Sequence, residues 1–475
     1  MAHLRRLWSR ANGPAKFVIC ILFLLLAGCA IGPNYHRPNV HAPPAFRGDA
    51  VALTNSMGDM PWWQLFQDPT LQALIATALT NNYDARLAVA RVEEARAILA
   101  QNRSYLYPQV GYEGSVAAGT NAVSGTPFYG GDGQYVYGAG TVSWEIDLWG
   151  RLRRLTEASQ AEFFASQEAR HNVTISLVAN VAQTYFQLLA LDEELLIAQE
   201  STNSFGESLK IFSERLRGGV SSKLETASAS AALASASATI PELRRQIVIQ
   251  ENQLRVLLGE NPGPILRQRA ALLTELLPDV PPGLPSALLR RRPDIRQAED
   301  LLRAANAAIG LAQADFYPNI NLTGLLGAVT PQLNLFASGT VTAWNVAATL
   351  TGPIFQGGRL KGQLHQARAQ WSEALFQYRA AILTAFQEVS DSITSRDQLQ
   401  LERIEQERAV AAYEEAVQVA RQRYTAGQAN YYELLQEQQQ LFPAETALTQ
   451  TRLNRLLAIV QLYLALGGGW QVPAH

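Results

Sequence analysis

Arg421-Gln422-Arg423-Tyr424-Thr425-Ala426-Gly427-Gln428-Ala429-Asn430-Tyr431-Tyr432-Glu433-Leu434-Leu435 reads as the end of one helix and the start of another. Gly427 occupies the place just past a helix end, where a positive φ is common and costs glycine nothing. Asn430 has the side chain of an N-cap, and Glu433, three residues on, completes the spacing of a capping box. Apolar-periodic segments far longer than an ordinary globular helix run away from this turn on both sides. The same turn occurs earlier, as Arg215-Leu216-Arg217-Gly218-Gly219-Val220-Ser221-Ser222-Lys223-Leu224-Glu225. Arg215, Gly219 and Glu225 match Arg423, Gly427 and Glu433 at one constant offset.

Other matches extend the duplication. Asp84, Arg86, Tyr107, Pro108 and Val110 correspond to Asp294, Arg296, Tyr317, Pro318 and Ile320, Gly150-Arg151-Leu152 to Gly358-Arg359-Leu360, and Gly259 to Gly467. The repeated unit is helix, helix, strand, loop, strand, long helix, tip and return helix. The first unit spans about 68–261 and the second about 285–475, with a Pro-rich linker at about 262–284. Strands are expected at about 105–120, 134–148, 317–329 and 341–352, and long hairpins at about 151–258 and 358–466. In the strands the period is two: Val110, Tyr112 and Val116; Val142, Trp144 and Ile146; Ile320, Leu322 and Leu326; Trp344, Val346 and Leu350. The loop from Gly119 to Gly133 is flexible in composition, and aromatics (Tyr105, Tyr107, Trp144, Trp149) stand near the strand ends. The first long helix approaches 100 Å at about 1.5 Å per residue. In its return helix Pro241 marks a kink or break, and Ala227, Ser228, Ala231, Ala234 and Ala238 read as an inner face allowing close approach.

The chain has 475 residues, 48% hydrophobic and 17% charged, with formal charge −2. It is less charged than an ordinary soluble domain, and without a basic block it gives nucleic-acid binding no support. Residues 1–28 read as a processing signal: Arg5, Arg6, Arg10 and Lys16 precede a short apolar run, Phe17 to Leu26, too short to span a membrane. Leu26-Ala27-Gly28-Cys29 resembles the lipobox of bacterial lipoproteins, in which cleavage leaves a lipidated Cys as the first mature residue. Removing the signal takes the formal charge from −2 to −6 and leaves no thiol for a disulfide. Residues 29–67 then form a lipid-anchored linker, with Pro61-Trp62-Trp63 packing its end onto the body.

Four candidate membrane strands cannot close a barrel. An isolated hairpin is marginal, open edges cannot face lipid, and membrane barrels begin at about eight strands. The strand count therefore requires an oligomer whose copies share one barrel, with the helical hairpins forming a tube below it.

The lipobox with Cys29-Ala30-Ile31-Gly32-Pro33-Asn34-Tyr35-His36-Arg37-Pro38, the duplicated Tyr-Pro strand starts, Gly358-Arg359-Leu360 and the tip Tyr424-x-x-Gly427 with Leu434-Leu435 resemble the outer-membrane factor family. That is the TolC superfamily, here its lipoprotein branch of multidrug-efflux channels (OprM-like, NodT-type). The resemblance covers essentially the whole mature chain, and the order of the motifs carries it. It implies a mixed α and β membrane protein: a homotrimer with a twelve-stranded transmembrane β-barrel on a twelve-helix periplasmic α-barrel. It implies N-acyl and S-diacylglycerol lipid on Cys29 with no other cofactor, insertion in the outer membrane of a Gram-negative bacterium, a periplasmic adaptor protein and an inner-membrane pump of the RND type.

It also implies a periplasmic gate at the tips. Glu225, Glu433, Gln436 and Tyr424 are the candidate gate residues. Gly219, Val220 and Ser221 with Gly427, Gln428 and Ala429 are the candidate adaptor contacts. Gln436 stands where a second acid is frequent in the family and Ala429 where TolC has Arg, so this gate is less acidic. Helix capping alone also accounts for Glu225 and Glu433, and turn chemistry for the tips.

Catalysis and resident metals find no footing. The six histidines are scattered, and no HExxH, Gly-x-Ser-x-Gly or phosphate-loop motif is present. Two other functions fit parts of the sequence. A channel for type I secretion or heavy-metal efflux has the same architecture. A lipid-anchored coiled-coil scaffold of the envelope leaves the duplicated strands unexplained.

Overall fold

The computed structural model describes residues 30–47, 56–119, 133–267, 283, 285–330 and 341–468. The signal segment, Cys29, both strand-joining loops and most of the 262–284 linker lie outside the described residues. The elements follow the duplication: α1 (Trp62–Leu65), α2 (Pro69–Asn81), α3 (Tyr83–Ser104), β1 (Gln109–Gly119), β2 (Gly133–Ile146), α4 (Arg151–Arg217) and α5 (Lys223–Leu257), then α6 (Pro285–Arg291), α7 (Pro293–Ala314), β3 (Asn319–Thr330), β4 (Val341–Thr351), α8 (Arg359–Thr425) and α9 (Tyr431–Ala465). Both outgoing helices have 67 residues and both return helices 35. The duplication is thus conserved in length as well as in sequence.

Contacts divide the chain into two compact units. The first comprises residues 1–39, 91–167 and 297–378. Its centre is an antiparallel sheet in the order β1-β2-β3-β4, so that repeat one pairs with repeat two through β2 and β3. The register settles the meaning of the alternation, because directly paired residues project to the same face. Val110 pairs with Val142, Trp144 with Leu322, Ile146 with Ile320, Leu326 with Trp344 and Gly324 with Val346. The apolar sets of all four strands therefore share one face. The other face carries Gln109, Ser143, Thr323, Glu145, Asn321, Thr349 and Asn345. The strands are slightly shorter at the base than the periodicity predicts. Tyr105 to Tyr107 form a turn, and the chain leaves β2 after Ile146. There Asp147 accepts the backbone N–H groups of Leu152 and Arg153, which starts α4.

The segment after Cys29 is bound to this unit. The Arg154 side chain is 3% exposed and donates to the carbonyls of Ile31 (3.0 Å) and Gly32 (3.1 Å) and to Asn34 Oδ1 (3.0 Å). Ile31 N–H donates to the Trp149 carbonyl at 2.9 Å, and Asn306 to the Pro33 carbonyl at 2.8 Å. Gly32 and Gly310 let the two backbones touch, since a Cβ on Gly32 would lie 2.3 Å from the Gly310 Cα. Arg154→Met removes the donor that ties the half-buried carbonyls of Ile31 and Gly32 to the body, at about 1–3 kcal/mol for a carbonyl left unsatisfied. Proteolysis within residues 30–39 is expected to accelerate while the rest of the unit resists. Lysine does not restore protection, because it lacks the planar fork.

The second unit comprises residues 40–90, 168–296 and 379–475. Phe66 packs on Phe186 and Tyr463, and Leu71, Ile75 and Ala78 are fully buried beside them. Asp68 caps α2 through the Thr70 N–H (2.7 Å) and also accepts the buried Tyr185 hydroxyl at 2.7 Å. Trp62 is buried, as the linker reading expects. The repeat recurs in the caps as well. Asn82 donates to the Leu257 carbonyl at 2.9 Å, and its counterpart Arg292 donates to the Ala465 carbonyl at 2.9 Å.

Two expectations about α5 are corrected. The helix runs through Pro241 without a break. Proline removes one donor, which leaves the Ser237 carbonyl without its intrahelical N–H, and the helix continues past it. Within one chain the packed face of α5 is also not the expected one. Ala229 is buried and Ala232, Leu233 and Ala236 pack around it, whereas Ala227, Ala231, Ala234 and Ala238 are exposed in the chain. A stretch that is Ala and Ser on every side gives periodicity nothing to choose between.

Candidate functional site

Both tips lie in the second unit and are built alike. At the first, Val220 N–H donates to the Arg215 carbonyl (2.9 Å) and Gly219 N–H to that of Leu216 (3.0 Å). At the second, Gln428 N–H donates to Arg423 (2.8 Å) and Gly427 N–H to Tyr424 (3.1 Å). These are Schellman closures, and Gly219 and Gly427 have φ of 74° and 72°. Among the described residues nothing lies within 4 Å of a Cβ placed on either glycine. Their requirement is therefore conformational, and both tips face open space.

The two following helix starts differ where the sequence predicts equality. Ser222 and Glu225 make the full capping box: the Glu225 N–H donates to Ser222 Oγ (3.2 Å) and the Ser222 N–H to Glu225 Oε2 (3.0 Å). The Ser221 hydroxyl also donates to Glu225. These donors, Ser221 first and the Ser222 N–H second, hold the Glu225 carboxyl below the usual range. At the second tip only half of the box forms. Asn430 Oδ1 accepts the Glu433 N–H at 3.2 Å, but the Glu433 carboxylate turns to Arg423 Nη1 at 3.1 Å. Glu225 is thus occupied as a cap, and Glu433 is an exposed partner in an ion pair across its own tip. A second exposed pair, Arg421–Glu207 at 2.5 Å, joins α8 to α4. Exposed pairs of this kind contribute about 0–1 kcal/mol each.

Under the tips lies an apolar core that the sequence reading missed. Phe212 is fully buried and packs on Tyr431 (4.0 Å between ring centroids) and Tyr424 (5.6 Å). Leu434 and Leu435 complete the core, and the Arg215 guanidinium lies 4.8 Å from the centre of the Tyr424 ring. Tyr424 therefore reaches the outside only through what it supports. Gln436 is exposed, as are Gly219, Val220, Gly427 and Gln428, while Ser221 and Ala429 are half-exposed. The Phe212 signal was present in the sequence, an aromatic one turn before Arg215, but nothing local distinguishes it from any other helical apolar residue.

Further along the same bundle, burial pushes the Glu445 carboxyl up to about 7, helped by the negative charges of Glu200, Glu414 and Glu193. Its Oε2 is buried and has no hydrogen-bond partner among the described residues. A carboxyl raised in the folded state keeps full stability below its unfolded pKa and loses it as pH rises toward the folded value. Glu445→Gln is therefore expected to raise the melting temperature at pH 8 and leave it unchanged at pH 4.

Comparison with known proteins agrees with this architecture. The family described as "Outer membrane efflux protein" matches residues 74–260 and 284–468, which are the two repeats. The chain is 36% identical over 465 residues to the toluene efflux pump outer membrane protein TtgC of Pseudomonas putida, covering 95% of each chain. It is 34% identical to the probable outer membrane lipoprotein SilC of Salmonella typhimurium, covering 96% of this chain and 99% of that one. The solved outer-membrane channel OprN superposes with a TM-score of 0.85 at 29% identity, over 93% of this chain and all of that one. With both repeats matched and the fold shared throughout, this chain belongs to the outer membrane efflux protein family of the TolC superfamily, whose members work in the outer membrane of Gram-negative bacteria.

Proposed function

We propose that three copies of this chain share one twelve-stranded barrel, continued by a twelve-helix periplasmic tube, and act as a passive conduit rather than an enzyme. The observation that carries this reading is the sheet. One face is apolar and the other polar, and among the described residues edges β1 and β4 have no partner strand. Such a sheet is stable in lipid only when its edges are paired. The conduit completes a tripartite efflux system with a periplasmic adaptor and an inner-membrane pump of the RND type, which supplies the energy. Its cargo is small toxic compounds, organic ones foremost. The anchor is N-acyl and S-diacylglycerol lipid on Cys29, held by the Arg154 clamp a few residues later. Deleting the gene is expected to sensitise the cell to drugs and solvents, and to the same degree as deleting the pump. Sensitivity to metal salts alone, or failure to export a protein, assigns the chain instead to metal efflux or secretion.

At the periplasmic mouth, Glu433 and Gln436 line the opening, Glu225 holds the neighbouring helix start, and Tyr424 supports them from the core. The exposed tips at Gly219-Val220-Ser221 and Gly427-Gln428-Ala429 meet the adaptor. Glu433→Lys sets two cations against each other beside Arg423. It is expected to change single-channel conductance and to lower cation preference in planar bilayers. Unchanged conductance and selectivity reduce Glu433 to a partner of Arg423 alone.

A further inference from the structure

We infer the register and the residues by which one copy joins the next, an inference that rests on the shared-barrel reading above. The chain contains its own template for that seam. The register of β1 on β2 and of β3 on β4 makes Val110 equivalent to Ile320 and Val142 equivalent to Leu350. The seam between repeats, β2 on β3, is therefore the internal counterpart of β4 on the next copy's β1. In the internal seam Ile146 faces Ile320, Trp144 faces Leu322, Val142 faces Gly324 and Thr141 faces Leu325. Carried over by the repeat, Ile354 faces the partner's Val110, Gly352 the partner's Tyr112, Leu350 the partner's Gly114 and Thr349 the partner's Ser115.

The side chains fit this register. On the apolar face the bulky Tyr112, 94% exposed in the chain, meets a glycine, and the exposed Leu350 meets another. Val142 opposite Gly324 is the same large-on-small arrangement inside the chain. On the polar face Thr349 meets Ser115, and Thr351 meets Glu113. A slip of one residue sets Leu350 against Glu113 and mixes the faces of the two strands. A slip of two residues brings Leu350 against Tyr112. Exposure points the same way. Ile146 is half-buried and pairs with Ile320 of the second repeat, whereas its equivalent Ile354 is bare at 103%.

The test is cysteine cross-linking of the full-length protein in outer membranes. Directly opposed residues bring Cβ atoms to about 4.5–5.5 Å, whereas diagonal neighbours are about 7–8 Å apart, and a disulfide needs about 3.5–4.5 Å. The double variant Thr349→Cys with Ser115→Cys is expected to shift from monomer to covalent dimer and trimer on mild oxidation. Thr349→Cys combined with Glu113→Cys or Ala117→Cys is expected to remain monomeric on denaturing gels. Native-gel mass of the unoxidised variants reports assembly separately. A native trimer that cross-links only through the Glu113 or Ala117 pair, or through none, overturns the register and leaves the shared barrel standing. A native monomer overturns both.

Discussion

Val346→Arg is expected to abolish assembly in the outer membrane, while Asn345→Arg beside it is tolerated. The two residues are adjacent in β4, yet the register places Val346 with the apolar face, paired with Gly324, and Asn345 with the polar face, paired with Leu325. Val346 is 78% exposed in the chain, which on a soluble sheet has no reason to be valine. An arginine on the lipid face near the bilayer midplane costs about 2–4 kcal/mol, and three copies each bear it. An arginine on the polar face meets water and changes only the field inside the barrel. The amount of assembled protein in outer-membrane fractions checks this, with drug resistance as a second readout. Equal loss in both variants contradicts the assignment of the two faces.

Phe212→Ala is expected to loosen both tips at once. Its ring is buried between Tyr424 and Tyr431, so that one side chain of the first hairpin supports both sides of the second tip, the end of α8 and the start of α9. Removing a buried phenylalanine costs about 3–5 kcal/mol. The loss falls on a local unit, because the cluster is confined to the ends of α4, α5, α8 and α9. Amide exchange around residues 205–217 and 424–435 is expected to accelerate, with strand exchange unchanged. Basal conductance in planar bilayers is expected to change as the tips at the proposed mouth loosen. Val220→Ala, at a position 73% exposed, is the control and is expected to shift stability by no more than about 0.5 kcal/mol.

The architecture was legible in the sequence because it is periodic and repeated. A period of two over eleven or more residues is hard to mistake for a helix, and each of the four strands named its apolar face correctly. The Gly219 and Gly427 turns were legible because a Schellman closure needs a positive φ that glycine supplies without strain. Interactions between distant segments were not. Arg154 reads as one more charged residue near a helix start, and its role exists only because the chain folds Ile31 to Asn34 against it. The Glu433 carboxylate had two partners within reach, a backbone N–H and Arg423, and spacing alone does not say which it takes. Pro241 reads as a kink or break because local propensity opposes it, and the packing of a 35-residue return helix carries the helix through one lost hydrogen bond without a break.

The central claim is that edges β1 and β4 close on other copies of the same chain. Electron cryo-microscopy of the lipidated protein in nanodiscs tests it most directly. A single barrel of twelve strands around a three-fold axis is expected, with β4 of each copy beside β1 of the next. Separate four-stranded sheets, or a barrel closed by any other number of copies, contradict it.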